Sequence, residues 1–166
     1  MRKLFYHIIG RFWRWWYSLF SVGDKAVFNH IAFIACKQIW PDARISCPDI
    51  KLVISSKDKI TNIAKSWPYW SYDFIPELFD CDDYSLGLHF HVRAYRAQEY
   101  KAGKVKDDEV YPYAFGQIWG SEMMGVRSPH AVNVFVCNEG VYLIEPQNGN
   151  ILKADPRRDK AWEVRF

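Results

Sequence analysis

Three side chains in the sequence have the types and the chain order of a thiol-based reaction site. The first is Cys81, which stands in FDCDDYS just before a segment with helical spacing. A cysteine at a helix start meets the positive end of the helix dipole and unpaired backbone N–H groups, which lower a thiol pKa and favour thiolate. The same N–H groups can stabilise the oxyanion formed by attack on a carbonyl. We therefore predict Cys81 as a nucleophile, with the backbone of Asp82 as an oxyanion donor.

His130 is the predicted general base, because it begins an apolar strand in SPHAVNV. An imidazole at that point can take the thiol proton and later protonate a leaving amine. His89 and His91 are less suitable, since on the Cys81 helix they lie about 12–15 Å of axial rise away. Their H-x-H pattern does not favour a metal site, because on a helix the two rings diverge by about 200°.

Glu145, in YLIEPQN, ends the next apolar strand and is the predicted partner that orients His130. A carboxylate at that position is costly unless it has a partner. A two-residue turn at 139–140 places both side chains on one face of the hairpin, whereas a three-residue loop at 138–140 places them on opposite faces. The sequence leaves this register open. Two further polar residues are alternative orienting or oxyanion-binding groups: Asn133 and Gln147.

The elements that must position these residues give an α+β fold. Helical spacing predicts a helix through Ala26–Ile39, a short helix after Ser56, and the Cys81 helix with Tyr84, Leu88, Val92 and Tyr95 on one face. Strands rich in Val, Ile, Tyr and Phe follow, two of them joined as an antiparallel hairpin. The predicted strands span 50–55, 110–119, 131–137, 141–145 and 162–166.

Composition favours one compact domain with a large core. The chain has 166 residues, of which 49% are hydrophobic. A net charge of +3 without a basic run does not favour nucleic-acid binding. None of the four cysteines has C-x-x-C spacing, so a zinc ribbon or a thioredoxin motif is not predicted.

Residues 1–22 are predicted as a separate amphipathic aromatic and basic helix, followed by a single domain over 23–166. The apolar stripe of this segment could bind a membrane interface, its own domain or a second subunit, through residues 1–20. Arg11 and Arg14 interrupt the apolar run, and no small-residue cleavage site follows them. We therefore expect no cleavable signal peptide and a cytoplasmic or peripheral membrane location.

The segments FDCDDYS, SPHAVNVFV and YLIEPQNG resemble the papain-like C-terminal domain of the fairy-ring mushroom agglutinin and its bacterial and phage relatives. The resemblance implies a papain-like or transglutaminase-like fold, with the nucleophile helix and the N-terminal helices packed on a small antiparallel sheet. It implies a Cys81–His130–Glu145 triad. Because the mushroom domain depends on calcium, it also implies a metal at Asp82 and Asp83, although the sequence itself requires no cofactor.

A second resemblance is to NlpC/P60 peptidases, which cut peptidoglycan stems and also place D-C at a helix start. Their usual D-C-S-G motif differs here, where Asp82 and Asp83 follow the cysteine. The predicted function is a cysteine hydrolase, a peptidase or amidase acting on a peptide or peptidoglycan-type substrate. The alternatives are an NlpC/P60-like amidase, an acyl transferase, or a non-catalytic module that binds a membrane or a subunit.

Overall fold

The computed structural model describes residues 24–68, 73–76 and 78–166. The predicted α+β class is confirmed. Three α-helices are described, and we number them α1 (His30–Ile39), α2 (Lys57–Lys65) and α3 (Cys81–Lys101). The strands are β1 (Lys25–Phe28), β2 (Arg44–Ser46), β3 (Lys51–Ile54), β4 (Phe115–Gly120), β5 (His130–Cys137), β6 (Gly140–Ile144), β7 (Ile151–Lys153) and β8 (Ala161–Arg165), with a 3-10 turn at Asp107–Glu109.

A six-stranded sheet in the order β2-β8-β4-β5-β6-β7 forms the centre of the domain. All of its neighbouring strands are antiparallel except β2 and β8, which pair in parallel. The strands β1 and β3 form a separate antiparallel pair. The predicted hairpin is therefore present as β5–β6, at the centre of a larger sheet.

Side-chain alternation along the strands divides the core between the two faces of the sheet. One face packs against α1, and its central residues include Ile118, Val132, Val134 and Leu143. The other face packs against α2 and α3, and its central residues include Leu88, Phe115 and Phe135. The sheet is thus covered on both faces, and α3 lies across β4 and β5.

Helix α3 forms where the sequence predicts it, because Tyr84, Leu88 and Val92 are buried along one face. Gly87 permits a close approach of Trp67, since a Cβ atom there would lie 2.9 Å from the indole ring. This packing holds the long helix against α2 and fixes the position of its first residue, Cys81.

The start of the described chain is held by an ionic network. Oδ2 of Asp24 lies 2.6 Å from Nζ of Lys59, and Oδ1 accepts a hydrogen bond from the Ser55 hydroxyl. Glu99 contacts both Lys59 and Arg96, at 3.0 and 3.1 Å. Opposite charges at these distances hold β1 against the two helices α2 and α3.

Two features differ from the sequence-based expectations. The predicted helix from Ala26 begins only at His30, because residues 25–28 pair with β3 as a strand. The short strands β2 and β7 were not predicted, since three-residue segments give little periodic signal.

The predicted amphipathic helix at 1–22 lies outside the described residues. Among those that are described, no helix is both long and apolar enough to cross a bilayer.

Candidate functional site

The structure brings His130 and Glu145 into direct contact. Nε2 of His130 lies 2.7 Å from Oε2 of Glu145, and only 11% and 10% of the two side chains are exposed. A carboxylate only accepts hydrogen bonds, so the imidazole N–H donates to it and Nδ1 is left with the lone pair in the neutral ring. Oε1 of Glu145 accepts from the backbone N–H of Gln147 at 3.3 Å. The carboxylate is therefore held at both oxygens.

The register of β5–β6 explains this contact. The pair Cys137–Gly140 closes the hairpin, so the turn consists of residues 138–139. The ladder runs to the pair Asn133–Ile144, and alternation beyond it places Glu145 on the same face as His130. The sequence left a two-residue turn at 139–140 and a three-residue loop at 138–140 open, and the observed turn lies one residue earlier than the first of these. It keeps the two-residue length, and for that reason the two side chains share a face.

Cys81 is the first residue of α3, and its thiol lies against the start of β5. Its Sγ accepts a hydrogen bond from the backbone N–H of Ala131. That N–H belongs to the peptide group that joins His130 to Ala131, so the thiol sits directly next to the histidine's own backbone. The other cysteines lie elsewhere: Cys36 and Cys137 are buried in the core, and Cys47 follows β2.

A capping box at the helix start fixes the cysteine. The Asp80 carboxylate accepts from the backbone N–H of Asp82 at 3.2 Å, and the Asp83 carboxylate accepts from the N–H of Asp80 at 3.2 Å. The N–H of Asp82 therefore already has an acceptor in the cap, which weakens its predicted role as an oxyanion donor. The D-x-x-D spacing of Asp80 and Asp83 could have identified the cap from sequence.

The electrostatic surroundings of Cys81 differ from the expected ones. Burial raises the pKa of the thiol, and the charges of Asp80 and Asp82 raise it further, while the Ala131 N–H acts in the opposite direction. The prediction that the helix start lowers this pKa is not met. A raised pKa disfavours the thiolate, which is the reactive form of a cysteine.

The alternative orienting residues have other roles. Asn133 is fully buried between sheet and helix, where its Nδ2 donates to the carbonyls of Ser85 and Gly116 at 2.8 and 3.0 Å. It links α3 to β4, and within the described part of the chain it makes no hydrogen bond to His130. Gln147 contributes through its backbone N–H, as described for Glu145.

Asp82 and Asp83, the predicted metal ligands, lie in the first turn of α3, and Asp82 belongs to a small group of possible ligand atoms there. Ligand atoms of Asp80, Cys81 and Asp82 lie within 4.8 Å of one another, whereas the carboxylate of Asp83 belongs to the cap. A hydrogen bond between the carboxyl groups of Asp80 and Asp82 lowers the pKa of Asp80 and raises that of Asp82. Calcium takes six to eight oxygen ligands. Two carboxylates and a thiol supply only part of such a set, so a metal at Asp82 and Asp83 stays a prediction.

A further buried histidine lies on α3. Nε2 of His89 accepts from Nε of Arg93 at 3.0 Å, and Arg93 also contacts Asp49 at 2.7 Å. Burial, with the nearby Arg93 charge, lowers the pKa of His89 to about 4. As expected from its distance along the helix, this histidine belongs to a separate cluster from Cys81.

Two solved structures share this fold. A structure titled "PSL1a-E64 complex" is 24% identical, with a TM-score of 0.65, over 85% of this chain and 51% of that one. A structure of the Polyporus squamosus lectin bound to the human-type influenza-binding epitope Neu5Aca2-6Galb1-4GlcNAc is 24% identical, with a TM-score of 0.63, over 85% and 49%. The chain thus spans about half the length of these relatives. No curated protein matches it.

These comparisons correct the predicted function. Agglutinins and lectins are carbohydrate-binding proteins. The family match and the solved structures therefore contradict the predicted function, which was a cysteine hydrolase, that is, an enzyme of the thiol protease type acting on peptide or peptidoglycan. The resemblance to an agglutinin, in contrast, is confirmed. The family model described as "Agglutinin C-terminal" matches residues 52–151, more than half of the sequence. The chain therefore belongs to the agglutinin C-terminal family.

Proposed function

We propose that this chain is a carbohydrate-binding protein of the agglutinin type, and that Cys81, His130 and Glu145 form its ligand site. The observation that carries this proposal is the 2.7 Å contact of His130 with Glu145 beside the thiol. Family membership and the glycan held by the Polyporus squamosus lectin support the class of ligand.

The chemistry of the site suits a ligand with many hydroxyl groups. A carboxylate offers acceptors, and an imidazole offers a donor or an acceptor, so together they can satisfy neighbouring hydroxyls. Both side chains are nearly buried, and Glu145 is held at both oxygens. Groups fixed in this way lose little conformational entropy when a ligand binds.

Glycan binding by the purified chain tests this proposal. A glycan microarray that includes Neu5Aca2-6Galb1-4GlcNAc would identify ligands, and calorimetry would give their affinities. Glu145→Gln should weaken binding about tenfold, as expected for loss of about 1.4 kcal/mol. Glu109→Gln is the matched control, because Glu109 is exposed and lies in the 3-10 turn. Absence of binding to every glycan, or equal binding by both variants, would contradict the proposal.

A second ligand class, thiol-directed compounds, is favoured by the position of Cys81 beside His130. Among the described cysteines, Cys81 is the one whose Sγ accepts from the N–H of Ala131, the residue that follows His130. The neighbour titled "PSL1a-E64 complex" supports E64 as a probe. Binding of E64 to the chain, measured by calorimetry and intact mass, should be lost in Cys81→Ser and kept in Cys47→Ser. If E64 still binds to both variants, thiol-directed compounds are ruled out as ligands of Cys81.

We also propose that the fold is papain-like in its arrangement, with the Cys81 helix packed on an antiparallel sheet. We further propose that residues 23–166 form a single domain. Residues 1–20 are proposed to contact a membrane or to mediate self-association, and the protein to have a cytoplasmic or peripheral membrane location. Co-sedimentation with liposomes and light scattering, each before and after deletion of residues 1–20, test the last of these. Unchanged behaviour in both measurements would contradict it.

A further inference from the structure

The thiol of Cys81 lies where the ladder between β5 and β6 has ended. Alternation along β5 directs the N–H groups of odd-numbered residues toward β6, and the last pair of that ladder is Asn133–Ile144. The N–H of Ala131 therefore points past the end of the ladder, and Sγ of Cys81 accepts it. A sulfur atom thus replaces the strand acceptor at this point. It can do so only while the first turn of α3 lies close against β5.

Ser85 joins the same end of α3 to β5. It follows Cys81 by four residues, so the two side chains lie on one side of the helix. Oγ of Ser85 donates to the carbonyl oxygen of Val132 at 3.1 Å, and Ser85 is fully buried. Val132 is the residue next to Ala131. The bond therefore limits how far the helix start can move from the N–H that the thiol accepts.

Asn133 makes a second connection from β5 to Ser85. Its Nδ2 donates to the carbonyl oxygens of Ser85 and Gly116 at 2.8 and 3.0 Å, and two acceptors of this kind fix the orientation of the amide. Within the described residues, its buried Oδ1 has no hydrogen-bond partner. A buried acceptor without a partner costs free energy on folding. Stability alone therefore does not explain an amide at this position.

We propose that Ser85 and Asn133 are positioning residues of the ligand site: they form a clamp that holds the first turn of α3 against β5, so that Cys81 stays at the Ala131 N–H. Neither side chain contacts a ligand, because both are fully buried. They act through Cys81. This role rests on the proposed carbohydrate site and deepens it, since without the clamp the thiol could move relative to β5.

Hydrogen exchange of the Ala131 amide, followed by NMR, measures the contact directly. In Ser85→Ala the exchange rate should rise about tenfold relative to that of Val134 in the same strand, as expected for loss of about 1.4 kcal/mol. In a Cys81→Ala background, where the acceptor is already gone, Ser85→Ala should add little. A purely structural role would change the exchange rate by the same factor in both backgrounds.

Ser56→Ala is the matched control. It also removes a serine hydroxyl that takes part in a hydrogen bond, since Oγ of Ser56 accepts from the N–H of Lys59 at 3.2 Å, but it does so at the N-cap of α2. Exchange of the Ala131 amide should stay at the wild-type rate in this variant. If Ser85→Ala does not fold, Ser85→Cys replaces it, because a thiol of similar size is only a weak donor. A smaller rise in the same exchange rate is then expected.

Glycan calorimetry connects the clamp to ligand binding, and Ser85→Ala should weaken that binding about threefold. A wild-type exchange rate at Ala131 in Ser85→Ala, or in Ser85→Cys where that variant is used, would overturn the positioning role. Faster exchange with unchanged glycan affinity would overturn it as well. Absence of glycan binding by the wild type would overturn the proposed function, whereas the exchange rates would still decide whether the clamp positions Cys81.

Discussion

Oε2 of Glu145 and Nε2 of His130 are joined at 2.7 Å across the end of the β5–β6 hairpin, in a site that is almost closed to solvent. Removal of either partner leaves the other with an unsatisfied polar group, and the price of that exceeds the net gain of an ordinary hydrogen bond.

Glu145→Ala should therefore lower the free energy of unfolding by about 1–3 kcal/mol. Glu145→Gln should cost less, because the amide oxygen can still accept from the Gln147 N–H and the imidazole can change its tautomer. Urea denaturation measures both. The exposed control Glu109→Gln should stay within about 0.5 kcal/mol of wild type. Equal stability of Glu145→Ala and this control would refute the structural role of the pair.

Alkylation of Cys81 by iodoacetamide should be slow at neutral pH and rise about tenfold per pH unit in alkaline solution, since thiolate is the reactive form and burial and two aspartates raise the thiol pKa. Peptide mapping should find Cys36 and Cys137 protected, because both are buried. A rate that is already at its plateau at neutral pH would instead reveal a thiolate–imidazolium pair.

Asp80→Ala should have two opposite effects. Loss of the N-cap should lower the free energy of unfolding by about 1 kcal/mol. Loss of the carboxylate should move the titration of Cys81 to lower pH, because the Asp80 charge raises the thiol pKa. Denaturation and the pH profile of alkylation measure the two effects. Lys57→Ala, at the start of α2, is a helix-start control that should leave the alkylation profile unchanged.

His89 should make the domain less stable in mild acid. Its pKa is lowered from 6.5 to about 4, mainly by burial, so between these values the unfolded chain binds a proton that the folded chain does not. Stability should fall as pH decreases through this window, by at most about 1.4 kcal/mol per unit. His89→Gln should flatten that slope in urea titrations. An unchanged slope in His89→Gln would show that another group titrates.

The sequence was most informative where a local pattern and a physical rule agreed. The apolar spacing of Tyr84, Leu88 and Val92 predicted α3, and so placed Cys81 at its first residue. For His130 and Glu145 the sequence left two hairpin registers open, and in only one of them do the two side chains share a face. The observed turn at 138–139 is neither of the two, although its two-residue length gives the shared face.

The rest depended on contacts that no local pattern contains. The pKa of Cys81 follows from burial and from charges across the capping box, and those outweigh the favourable backbone N–H. Residues 25–28 form a strand because β3 is available as a partner, whatever their own spacing indicates. The activity was mispredicted for a similar reason, because a cysteine–histidine–acid arrangement describes a geometry and the same geometry can serve different functions.

The ionic network around Asp24 has a consequence for the segment that precedes it. Because Asp24 is fixed by Lys59 and Ser55, the chain enters the domain at a defined point. A partner bound by residues that precede Asp24 would meet the domain at an effective concentration set by the length of chain between the two contacts. Two weak interactions, one with the segment and one with the domain, could then combine into a single strong one.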